Sequence, residues 1–156
     1  LKNFFVKPHP NEEKYDFKIS YILKKYNEIK ILEAKKDLFK IYNDYNLILF
    51  SNVDSTAFYQ LLSLNKPVIV IINDYNKILK EKYKKNWQEM IDAKIFHLTA
   101  DSLSSFFEKN RNNFDKWWNE QKTQNAVKNF NYLNCRNVKN LPLLISEELK
   151  KFKNNI

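Results

Sequence analysis

Glycine is missing altogether from this 156-residue sequence, where about 7% is usual. Its absence excludes the glycine-rich dinucleotide fingerprint and the P-loop, both of which need glycine where the backbone meets phosphate. Cysteine occurs once, at Cys135, which leaves no internal disulfide and no cysteine metal spacing. A reducing, cytoplasmic setting is the expected home. Nothing near Cys135 in the sequence marks it as a nucleophile, and the only histidines are His9 and His97. Long apolar runs are lacking too. The longest covers 67–72, far short of the roughly 18 residues of a membrane span. The first stretch has no apolar h-region and no small-residue cleavage site, so no secretory signal is expected there. No His, Asp or Glu cluster has metal-ligand spacing, and no Gly-x-Ser-x-Gly elbow exists.

Arginine is scarce as well. The net charge is +9, but of 27 basic residues only Arg111 and Arg136 are arginine. A positive balance first suggests nucleic acid or an anionic membrane surface. Arginine, however, is the usual reader of base edges and phosphate forks, and the lysines are spread along the chain. Lysine together with 22 asparagines points to AT-rich coding sequence, which raises lysine without selection for binding. Nucleic acid is therefore not the expected partner. A solvated basic surface, favouring anionic substrates or the inner leaflet of a membrane, is expected instead.

What is present is a globular mix, 44% hydrophobic and 29% charged, which rules out disorder, collagen and a disulfide scaffold. The length suits one domain that buries roughly 68–70% of its unfolded surface. The chain begins at Leu1, not Met, and is expected to be a piece of a larger, two-domain protein.

Periodicity predicts strands at 3–7, 29–32, 46–50, 67–72 and 94–98. It predicts helices at 12–27, 37–45, from Asp54 or Ser55 to Leu64, at 77–93, from Thr99, Asp101 or Ser102 to Lys109, at 112–134 and at 143–152. The strands read as continuous apolar runs, as in a sheet covered on both faces. Five strands alternating with helices predict an α/β, Rossmann-like, doubly wound, five-stranded parallel sheet, with 112–156 as a C-terminal helical extension.

Such sheets bind ligands beyond the carboxyl ends of their strands. The turns there hold Pro8-His9-Pro10-Asn11, residues 51–56, Asn73-Asp74-Tyr75-Asn76, and Thr99-Ala100-Asp101-Ser102. Ser55 and Thr56 open a helix after a buried strand. They suit either a phosphate cradle built on the helix N-terminus or a plain N-cap. His9, fixed between two prolines, suits either a donor to phosphate or a surface turn. His97, inside a strand pattern, reads as a core or edge histidine. Of Trp117 and Trp118, one ring is expected on the core and the other turned toward a neighbour, with stacking on a base or sugar open.

The strand ending in Lys7-Pro8-His9-Pro10, the Ser55-Thr56 pair and Leu64-Asn65-Lys66-Pro67-Val68-Ile69 resemble the C-terminal half of GT-B glycosyltransferases. The likeness is nearest to bacterial surface-carbohydrate biosynthesis transferases, in which residues 51–70 and Trp117-Trp118-Asn119-Glu120 have counterparts. The His-Pro and Ser/Thr motifs are also similar to those of sialyltransferases, capsule Kdo transferases and teichoic-acid glycerophosphotransferases, where they contact a CMP- or CDP-linked donor. The resemblance implies glycosyl transfer from a nucleotide-sugar donor to a carbohydrate or glycolipid acceptor, with no metal cofactor. It implies that His9 contacts the donor phosphate or ribose, and that Ser55 and Thr56 hold the phosphate, with Lys7 and Asn52 beside them. It places the general base in an N-terminal domain outside this chain, which would then bind donor without acting alone. Two other readings stay open: a nucleic-acid-binding α/β module using lysines and aromatics, and a non-catalytic interaction domain that keeps the fold without the site.

Overall fold

The computed structural model describes residues 4–8, 21, 24–26, 28–72, 83–135, 142, 145, 146, 149 and 150. It is an α/β architecture in which every strand pairing among the described residues is parallel. The chain divides into two compact units, Leu1–Asp44 and Tyr45–Ile156.

In the first unit, β1 (Phe5–Val6) pairs in parallel with β2 (Lys30–Ile31), Phe5 opposite Lys30 and Val6 opposite Ile31. Helix α1 (Leu38–Ile41) follows, started by Asp37, whose carboxylate accepts from the Phe39 N–H at 2.9 Å. A 3-10 turn, Tyr42–Asp44, ends the unit.

The second unit is built on β3 (Ile48–Phe50), β4 (Val68–Ile71) and β5 (Phe96–His97), with β4 central. Val68, Ile69 and Val70 are fully buried, as a β-branched run without alternation requires when both faces are covered. Parallel neighbours need a crossover, and α2 (Thr56–Ser63) supplies it between β3 and β4. Helix α3 (Lys84–Asp92) leads into β5, and α4 (Ala100–Asn110), α5 (Phe114–Trp118) and α6 (Gln121–Asn134) follow. Helix α6 packs on α2 and α3. Phe58, Phe96 and Phe130 meet beneath it, with ring centroids 5.5 to 6.5 Å apart.

Helices α2 and α3 end alike. The Asn65 N–H bonds the Leu62 carbonyl and the Lys66 N–H bonds that of Leu61, both at 3.0 Å. The Lys94 N–H bonds the Ile91 carbonyl and the Ile95 N–H bonds that of Met90. Both are Schellman endings, whose turning residue adopts left-handed backbone and is usually glycine. With no glycine to use, the chain places Asn65 (φ 54°) and Lys94 (φ 63°) there.

Several expectations are corrected. Among the described residues the five strands pair as a two-stranded and a three-stranded parallel sheet, and a single five-stranded sheet is not shown. Hydropathy marks a strand without naming its neighbour. The helix expected over 112–134 is broken at Asn119 and Glu120, where Glu120 turns extended (ψ 139°). At 3.6 residues per turn, an unbroken helix would point Trp117 and Trp118 roughly 130° away from the arc of Thr123, Ala126, Val127 and Phe130. All six are buried, so the helix must break. The Gln124 side chain stabilises the break by donating to the Trp118 carbonyl at 2.7 Å. The helices expected over 12–27 and 143–152 fall mostly outside the described residues, as does the start of that over 77–93. No helix among the described residues is long and apolar enough to cross a membrane.

Candidate functional site

The carboxyl ends of β3, β4 and β5 lie along one edge of the parallel sheet. Two described turns follow them, 51–56 after β3 and 98–102 after β5. Val53 is buried and anchors the first turn. Asn52 and Thr56 are exposed there, and Ser55 is half-buried.

Ser55 occupies the N-cap of α2 with extended backbone (φ −77°, ψ 116°), the conformation from which a serine hydroxyl caps a helix. It makes no such bond; its side chain does not cap α2. The caps of α1, α4 and α5 differ: Asp37, Thr99 and Asn113 each accept from a first-turn N–H, at 2.9, 3.1 and 2.9 Å. The start of α2 therefore combines first-turn N–H groups, the positive end of the helix dipole, and the Ser55 and Thr56 hydroxyls, with Asn52 on the same turn. That set of donors suits an anion.

The other predicted site residues are placed differently. Lys7, half-buried in the first unit, donates through Nζ to the Ala34 carbonyl at 2.7 Å and lies 3.5 Å from the Pro8 carbonyl. It thereby links the exit of β1 to the turn after β2. His9 lies outside the described residues, as do Pro10, Asn11 and 73–76. The structure thus gathers Asn52, Ser55 and Thr56 at one helix start, with Lys7 in the other compact unit.

The turn after β5 carries features the sequence left open. Among the three candidate caps, Thr99 is the one that starts α4, accepting from the Ser102 N–H. His97 is a core histidine, 0% exposed. Its Nδ1 lies 3.1 Å from Ser102 Oγ. Burial, aided by the Lys94 charge, holds its pKa below the ordinary histidine value, while main-chain interactions at Lys94 and Ser102 pull the other way.

Both tryptophan rings are buried, at 4% and 3% exposure, where one was expected on the core and the other turned toward a neighbour. Trp117 Nε1 donates to the Ala93 carbonyl at 2.9 Å and Trp118 Nε1 to the Asn65 carbonyl at 3.1 Å. Those carbonyls stand at the amino ends of β5 and β4, opposite the rim. The rings are therefore structural and do not stack on a rim-bound base or sugar. Burial pushes the Cys135 thiol up to about 11, so it is protonated near neutrality and a poor nucleophile. Tyr59 is also held above the ordinary tyrosine value, by burial first and then by Cys135 and Asp54. Among the described residues no three His, Cys, Asp or Glu side chains gather in a way that could hold a metal.

Fold and rim together define a parallel α/β protein with an anion-suited helix start beyond its strand ends. A family model described as LIC12162 family transferase matches residues 1–149. The chain belongs to the LIC12162 transferase family. No curated protein and no solved structure matches it.

Proposed function

We propose that this transferase is a glycosyltransferase of surface-carbohydrate biosynthesis, and that this chain binds its CMP- or CDP-linked donor in the manner of a GT-B C-terminal domain. The observation that carries the reading is the start of α2, where Ser55 holds N-cap geometry without capping. A donor phosphate seated there takes the hydrogen bonds that the serine leaves unmade. The Ser55 and Thr56 hydroxyls and the first-turn N–H groups then stabilise charge that builds on the phosphate as the sugar departs. Asn52 holds the donor from the same turn. His9 contacts the phosphate or ribose, and Lys7 adds positive charge. In this reading the acceptor is a carbohydrate or glycolipid, and the general base comes from a separate N-terminal domain. The basic surface suits work at the inner leaflet of a membrane.

The test is thermal unfolding with CMP, CDP, UDP, GDP and a short oligonucleotide, on the wild-type chain, on Ser55→Ala/Thr56→Ala and on His9→Ala. A ligand at 100 times its Kd adds about 2.7 kcal/mol, a midpoint rise of roughly 5–10 °C for a domain of this size. A rise with a cytidine nucleotide, lost in the variants, supports the reading. No rise with any nucleotide overturns it, and a rise with the oligonucleotide alone moves the function to nucleic-acid binding.

A further inference from the structure

Strand β5 ends on a fully buried histidine, His97. Its Nδ1 faces Ser102 Oγ, in the first turn of α4, at 3.1 Å. Its Nε2 is buried and bonds no described residue. A bare acceptor costs less to bury than a bare N–H. The neutral ring therefore carries its proton on Nδ1, donates to Ser102 Oγ, and leaves Nε2 as an unshared lone pair. A second proton can only go to Nε2, which is buried and makes no hydrogen bond to a described residue.

Main-chain interactions at Lys94 and Ser102 favour the charged ring, but burial opposes it more strongly. Phe58 of α2 and Phe130 of α6 pack on Phe96 of β5, and β4, α3 and α4 also pack on the strand. Their buried residues are Val68, Ile69 and Val70, then Trp87 and Met90, then Phe106, and none is charged. Lys94, just before β5, has the same sign as an imidazolium, and Asp101, in the first turn of α4, is exposed to water. The Phe106 ring, 5.2 Å from the imidazole, attracts a cation, but by less than the hydration the cation loses.

We propose that His97 is an acid-operated latch on α4: neutral, it ties the first turn of α4 to the end of β5, and protonated, it leaves the core and draws that turn away with it. A proton from solvent adds to Nε2, and no other bond is made or broken. The charged ring regains water only by leaving its buried place, and the turn bonded to it through Ser102 moves with it. That turn includes the Thr99 cap and forms the part of the rim beyond β5. Acid therefore loosens one wall of the rim while the start of α2 stays as it is. The latch does not depend on which donor, if any, the rim accepts.

The test uses the whole chain. The ring proton shift of His97 is followed by NMR from pH 8 to 5, with His9→Gln to assign the two histidines. Amide exchange of α4 and α6 is measured over the same range and corrected for intrinsic rates. His97 is expected to titrate with a midpoint below about 6.5. The α4 amides should lose protection tenfold or more with the same midpoint, while α6 stays protected. His97→Gln has no titrating ring and should show a flat α4 profile. Ser102→Ala keeps the ring but removes the tie, so its α4 should already be weakly protected at pH 8; it serves as the test if His97→Gln does not fold. A midpoint at or above 6.5, equal loss of protection in α4 and α6, an unchanged pH step in His97→Gln, or full α4 protection in Ser102→Ala overturns the latch.

Discussion

The indole N–H of Trp118 donates to the carbonyl of Asn65 at 3.1 Å, across 53 positions of sequence. Asn65 is the left-handed residue that ends α2 and turns the chain into β4. Trp117, the next residue back, does the same for the corner between α3 and β5 through the Ala93 carbonyl. Two adjacent rings on a five-residue helix thus hold both helix-to-strand corners of the second unit. Replacing Trp118 with Phe removes the donor to a carbonyl on an exposed residue and should cost about 0.5–1.5 kcal/mol. Trp118→Ala adds a cavity and should cost about 3–5 kcal/mol. Urea unfolding followed by circular dichroism would check both, and a loss below 0.5 kcal/mol for Trp118→Phe would remove the bond from the account.

The left-handed backbone at Lys94 leads to a second prediction. A side chain at φ 63° crowds its own carbonyl, at a cost of roughly 1–2 kcal/mol. Glycine relieves that crowding but gains freedom when unfolded, so the net gain is smaller. Lys94→Gly should stabilise by about 0.5–1 kcal/mol, and Asn65→Gly by less, since asparagine tolerates this region. Midpoint rises of a few degrees for Lys94→Gly are the expected readout.

Thr99 and Ser55 hold the same position on two helices but do different things. Thr99 caps α4, so Thr99→Ala should cost about 1 kcal/mol. Ser55 caps nothing, so Ser55→Ala should leave the apo midpoint within about 0.5 kcal/mol of wild type. If Ser55→Ala destabilises as much as Thr99→Ala, the hydroxyl is a cap after all and loses its claim to a ligand.

Cys135 gives a prediction with a defined sign. Its thiol is raised from 9.0 to about 11 by burial. The native state therefore keeps the proton longer than the unfolded chain, and stability falls as pH rises from about 9 toward 11. At pH 8 a difference of two units means roughly 100-fold less thiolate than in the unfolded chain. Alkylation by iodoacetamide at pH 8 should be slower by about that factor in buffer than in urea. Equal rates would mean that the thiol is not buried.

The elements legible in the sequence are those whose reason is local. The run around Val68–Ile71 reads as a buried strand because nothing in it alternates. The start of α2 reads as a helix opening because Ser55 and Thr56 follow an apolar strand. The break at Asn119 and Glu120 was not read, since Glu120 sits comfortably in a helix and a single asparagine is only a weak breaker; it is imposed by the need to bury Trp117 and Trp118 together with the α6 face. The acceptors of those rings could not be read either, being backbone carbonyls brought in from 24 and 53 positions away. That Ser55 fails to cap is likewise invisible, because a hydroxyl that bonds and one that does not are spelled with the same letter. His97 read as a core or edge residue, and its tie to Ser102 needed the turn between them.

All three tryptophans, Trp87, Trp117 and Trp118, are buried in the second unit. Intrinsic indole emission is therefore a gauge of 45–156 alone. Melting of that unit exposes the rings to water and shifts their fluorescence to the red, whereas melting of 1–44 passes without an indole signal. Followed side by side, tryptophan emission and far-ultraviolet dichroism would give one transition if the two units unfold together and two if they do not.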